Sequence, residues 1–126
     1  MTGSLPFLLQ KTDSFEKSFK KLAKSNAYRG EALEIISQSL ENLQEDPYPT
    51  NARDEPLPSG VNLNRDWTLH KLEIRVGKGA AGQVRLIYLV NEGQRVLRPL
   101  WLYRHEQFRK RPSDQDLRIV IESALE

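Results

Sequence analysis

Apolar residues recur along this chain with two different periods. Phe15, Phe19, Leu22 and Ala23 stand at i, i+4, i+7 and i+8, one face of a helix, while Lys17, Lys20, Lys21 and Lys24 occupy the other faces. The run Asp13-Ser14-Phe15-Glu16 has the form of a capping box, an acceptor at the cap and a carboxylate three residues on. Residues 25–30 break this helix. A second helix is predicted over 31–44, with Leu33, Ile36, Leu40 and Leu43 as its buried stripe. Asp46-Pro47 stops it, because a residue before proline avoids the α region. Two helices on a short connection predict a helical hairpin, and core packing is the plain reading of their apolar faces.

Further on the period becomes two. Residues 67–76 (WTLHKLEIRV), 83–90 (QVRLIYLV) and 95–105 (RVLRPLWLYRH) read as three consecutive strands, and 7–11 (FLLQK) as a short first one. Alternation puts Leu72, Ile74 and Val76 on one face and Lys71, Glu73 and Arg75 on the other. It likewise opposes Val84, Leu86, Tyr88 and Val90 to Arg85, Ile87 and Leu89, and groups Trp101, Tyr103 and His105. Pro99 has no N–H to give a ladder, which predicts a bulge or an edge there. Ser113-Asp114-Gln115-Asp116 caps a last helix carrying Leu117, Val120, Ile121 and Ala124 at helical spacing. Between the hairpin and the strands, residues 46–66 hold Pro47, Pro49, Pro56 and Pro58. At roughly 20 residues, such a connection tends to be functional or mobile. The pattern predicts one α+β domain over residues 1–126. Its small, mainly antiparallel sheet of about four strands carries the helical hairpin on one face and the terminal helix at an edge or rim.

Composition narrows the function. Apolar residues make up 38% and charged residues 29% of 126, a globular mixture. With no cysteine and two histidines, disulfides are excluded and an all-protein zinc site is not expected. No apolar run approaches the ~20 residues of a membrane span, and the first nine residues lack the basic region of a signal peptide. A cytoplasmic protein without membrane contact is therefore expected. The net charge of +2 hides an asymmetry: residues 65–111 hold eleven basic and four acidic residues, a net +7, and the remainder is −5. Segregated positive charge is the footprint of a polyanion binder, although uneven surface charge alone gives the same count.

Gly77-Lys78-Gly79-Ala80-Ala81-Gly82 spells a dinucleotide or kinase-type glycine loop. A strand follows it where a dinucleotide site needs a helix, and a chain this short has no room for a kinase. The glycines fit a hairpin turn instead, with Lys78 at its tip placed to touch an RNA phosphate. Arg85 stands mid-strand among apolar residues, which is costly unless it is paired or faces a polar site. It either bridges to Glu73 on the neighbouring strand or serves a site. A lone histidine such as His105 is more often structural than catalytic, but His105, Tyr103 and Arg85 at adjacent strand positions favour function.

The run from Ile74 to Ile121 resembles the C-terminal half of RelE- and HigB-like toxins of the RelE/ParE superfamily. Val84-Arg85-Leu86-Ile87-Tyr88 is similar to one conserved strand of that family, and Leu100-Trp101-Leu102-Tyr103-Arg104-His105-Glu106 to the next. The opening Ser14-Phe15-Glu16-Lys17-Ser18-Phe19-Lys20-Lys21-Leu22 resembles the family's first helix. His105 stands where lysine is usual, Pro99 is atypical, and the proline-rich connection is long. The resemblance implies a toxin of a toxin–antitoxin pair, a metal- and cofactor-free endoribonuclease that cuts mRNA on the ribosome and is neutralised by a cognate antitoxin. It implies Arg85, His105, Tyr103 and Arg75 as catalytic, and Lys71, Lys78, Arg104, Arg109, Lys110 and Arg111 as RNA-binding. ParE-like relatives, which resemble gyrase poisons, and a silent nucleic-acid-binding relative remain alternatives.

Overall fold

The structure is a computed structural model, and it describes residues 5–24, 30–77, 82–108 and 110–125. In chain order the elements are β1 (Leu8–Leu9), α1 (Asp13–Ala23), α2 (Glu31–Glu45), β2 (Ala52–Asp54), β3 (Trp67–Arg75), β4 (Gln83–Asn91), β5 (Val96–Arg104) and α3 (Asp114–Ala124). They form a five-stranded sheet of order β1-β5-β4-β3-β2, antiparallel except where β1 runs parallel to β5. The fifth strand, β2, comes from the proline-rich connection. Its three residues pair with Leu72, Lys71 and His70, so part of that segment is an edge strand and not a loop.

The cap of α1 falls one residue earlier than the sequence pattern suggests. Thr12 is the N-cap, its hydroxyl accepting from the Phe15 amide at 3.2 Å. Asp13 becomes a first-turn carboxylate, favourable beside the helix dipole. Thr12 and its neighbours have a second task. Beyond the two residues paired with β1, the outer edge of β5 is closed by hydroxyls. Thr12 donates to the Pro99 carbonyl (2.8 Å), Ser14 donates to the Leu100 carbonyl (2.7 Å), and Ser18 accepts from the Leu102 amide (2.9 Å). An edge strand whose backbone groups are already satisfied does not invite a foreign strand.

Pro99 does produce a bulge. Ile87 faces Trp101 and Tyr88 faces Pro99, so Leu100 is the extra residue of β5. The β3–β4 connection closes tightly, with the Val76 amide donating to the Gly82 carbonyl at 2.8 Å. A Cβ on Gly82 would collide with the backbone of Gly77, which explains glycine at this crossing.

Both faces of the sheet carry a core. On the first, Phe15, Leu22, Ile36, Leu40 and Leu43 of the helical hairpin pack on Leu72, Ile74, Val84, Leu86 and Tyr88. At its end His70 is buried, stacked on Tyr88 (5.4 Å between centroids) and tilted against Tyr48 (5.2 Å). Burial lowers the pKa of His70, with the Asp54 carboxylate 3.3 Å away acting in the opposite direction. On the second face α3 is not at a rim. Leu117 and Ile121 cover Leu69, Ile87, Leu89, Leu100 and Tyr103, joined by Val61 of the connection. The expectation of the terminal helix at an edge or rim is therefore corrected. The hydrophobic stripe of α3 needed a partner, and only one end of that face stays polar.

Candidate functional site

The register of the three long strands builds the polar end. Glu73 faces Arg85, and Arg85 faces Tyr103. One step toward the β3–β4 turn, Arg75 faces Gln83, whose carbonyl accepts from the His105 amide at 2.9 Å. Residues in such a row lie about 4.5–5.5 Å apart at Cβ. Arg75, Arg85, Tyr103 and His105 thus gather on two adjacent rows of the second face, away from the helical hairpin.

Arg85 is the centre of this group. Its side chain is 14% exposed, and its Nη2 lies 3.8 Å from Glu73 Oε1, beyond hydrogen-bond length. Nη1 donates to the Lys110 carbonyl at 3.4 Å, while the buried Nε has no partner among the described residues. A guanidinium has five N–H donors, so most of those on Arg85 are uncommitted. Glu73 is half exposed and also lies 4.0 Å from Arg53, so it compensates Arg85 only weakly. His105 Nδ1 is likewise buried and, among the described residues, without a partner.

Tyr103 is fully buried, and its hydroxyl donates to the same Lys110 carbonyl at 3.0 Å. Burial pushes its pKa up to about 12, against the opposing pull of the Arg85 guanidinium. It is a neutral donor with no face for a base to stack on, and it fixes the segment after β5 beside Arg85. Arg75 is exposed and donates to the Gly77 carbonyl at 3.2 Å.

The basic residues around this centre divide. Lys71 and Arg111 converge on Glu55, at 3.4 and 3.0 Å, and the Glu55 side chain is only 5% exposed. Arg111 also reaches Asp114 at 3.1 Å and the Pro56 carbonyl. These two cations are occupied in holding the proline-rich connection to the sheet. Lys110 is exposed. Arg104 lies one residue out of step with Tyr103, on the side of α1, 3.8 Å from Glu106. Lys78 and Arg109 lie outside the described residues. Glu55 is the residue the sequence conceals, since nothing in Asp54-Glu55-Pro56 signals a buried carboxylate. Among the described residues, no group of three or more His, Asp or Glu is placed to hold a metal ion. No described helix is long and apolar enough to cross a membrane.

The fold is shared with two solved RelE structures. The chain superposes on an archaeal RelE, from the RelE–RelB complex of Pyrococcus horikoshii, with a TM-score of 0.54 at 17% identity, covering 82% of this chain and 100% of the other. It superposes on a mutant of the E. coli toxin RelE in the free state with a TM-score of 0.51 at 18% identity, covering 83% and 90%. No family model matches the sequence, and no curated protein sequence matches it.

Proposed function

We propose that the protein is the toxin of a toxin–antitoxin pair and that it cleaves mRNA on the ribosome. The observation that carries this reading is the Arg85 guanidinium, bonded among the described residues only through the Lys110 carbonyl and a long pair with Glu73, one row from His105 on a RelE-like sheet. In the reaction a ribose 2′-OH attacks the adjacent phosphate, and the 5′-oxygen leaves. Arg85 binds two non-bridging oxygens and stabilises the charge of the phosphorane. Arg75 adds charge from the neighbouring row. His105 takes the proton from the 2′-OH or gives one to the leaving 5′-oxygen. Tyr103 positions rather than reacts, holding the Lys110 segment against Arg85. The ribosome supplies RNA orientation that so small and open a site does not.

The partner follows from the same charge. The neighbour solved with RelB supports an antitoxin for this chain as well. An acidic segment that orders on binding would complement the basic strand end. Expression of the chain alone should arrest translation, and primer extension should find cuts in translated mRNA. Arrest with intact mRNA and altered DNA supercoiling would favour a ParE-like gyrase poison instead.

A further inference from the structure

A second feature lies around the outer edge of β5, between α1 and α3. A cavity of about 380 Å³ opens there, with Trp101, Phe108 and Leu22 in its walls and Lys17, Lys21 and Arg104 at its margin. Lys17 and Lys21 are exposed, one turn apart on α1, and no described carboxylate pairs with either. The Trp101 and Phe108 rings meet edge to face at 5.9 Å, and Phe108 meets Tyr103 in the same way at 5.5 Å. The aromatic wall is thus continuous with the Arg85–Tyr103 group.

We propose that this cavity is a subsite for one nucleotide of single-stranded RNA flanking the phosphate held at Arg85. The inference rests on the proposed function for its choice of ligand. Aromatic walls with a cationic margin are the common means of holding single-stranded nucleic acid: a base against the rings, a phosphate on the cations. Two alternatives fit less well. Strand addition is blocked, because Thr12, Ser14 and Ser18 already satisfy the β5 edge. A docked helix needs anchors over several turns, whereas this is one compact cavity of about 380 Å³.

The chain has two tryptophans, so Trp67→Phe leaves Trp101 as the sole reporter. Titration of that variant with a short oligouridylate should quench Trp101 emission. Adding Lys17→Glu and Lys21→Glu, both on the exposed face of α1, should weaken binding roughly tenfold or more. It should also lower the salt slope by about 0.7, the contribution of one single-strand phosphate contact. Equal melting temperatures would verify the fold of the variants. No quenching, an unchanged affinity and slope, or quenching by an acidic Leu–Glu peptide in place of RNA would overturn the subsite. The two readings fail separately. Quenching without any mRNA cleavage on ribosomes sinks the nuclease reading alone. Cleavage with unchanged concentration dependence in the Lys17/Lys21 variant sinks the subsite alone.

Discussion

Removing Glu55 should cost more stability than any other single surface-loop change. Its carboxylate is 5% exposed and is shared by Lys71 and Arg111, themselves only 15% and 16% exposed. Glu55→Ala leaves two largely desolvated cations without the carboxylate they share. Breaking a buried ion pair from one side costs about 3–5 kcal/mol. Asp114 still accompanies Arg111 at 3.1 Å, so the lower end, about 3 kcal/mol, is expected. For a domain of this size each kcal/mol shifts Tm by about 4 °C, giving a fall of roughly 12 °C. Thermal unfolding followed by circular dichroism measures this. Lys71→Met in the Glu55→Ala background should recover part of the loss, because one uncompensated charge is gone, so the pair should be strongly non-additive. A Glu55→Ala change within about 0.5 kcal/mol of wild type, the range of ordinary surface substitutions, would refute the argument. It would mean that water already solvates both cations.

Other consequences follow from single residues. Tyr103→Phe removes the hydroxyl bond to the Lys110 carbonyl and should cost about 1 kcal/mol in unfolding free energy, together with cleavage activity lost through a displaced Arg85. His105→Ala should slow single-turnover cleavage on ribosomes roughly a hundredfold, and His105→Lys should retain part of the rate; equal rates for wild type and His105→Ala would remove the residue from the chemistry. His70 has a folded-state pKa below its unfolded value because it is buried. The unfolded chain therefore takes up a proton first, so this stabilisation is complete above about pH 6.5 and is lost as pH falls below it. Denaturant midpoints measured across that window should drop for wild type and flatten for His70→Phe; parallel curves would refute the assignment.

Much of the fold was legible because period and position agree. Leu33, Ile36, Leu40 and Leu43 name the inner side of α2, and strand alternation places Lys71, Glu73 and Arg85 together on the second face, as the register does. Pro99 foretold its bulge by the missing donor alone. The failures have physical causes too. β2 is three residues long in a proline-rich run, too short for any period, and it exists because β3 offers it an edge. The packing of α3 across the second face depends on which apolar stripe is left uncovered, a tertiary fact with no local signal. At the site, the sequence supplied Arg85, Tyr103 and His105 but could not distinguish a free cation from an occupied one. Lys71 and Arg111 look like RNA ligands by composition, and it is Glu55, distant in sequence, that occupies them. Lys17 and Lys21 read as a solvated helix face until α3 and β5 close a cavity beneath them.

The central claim is that Arg85 serves the phosphate and not the sheet. The direct test is cleavage of translated mRNA by wild type, Arg85→Ala and Glu73→Ala on purified ribosomes, with melting temperatures measured on the same preparations. Losing a charge contact made in the transition state costs about 3–4 kcal/mol, or 10²–10³-fold in rate. The account predicts that loss for Arg85→Ala, with a stability change under about 1 kcal/mol because its ion pair is long, at 3.8 Å, and its Glu73 partner is half exposed, and near-normal cleavage for Glu73→Ala. If Arg85→Ala cuts as well as wild type, or if both variants melt early by the same amount, Arg85 is a structural salt-bridge residue and the proposed site is wrong.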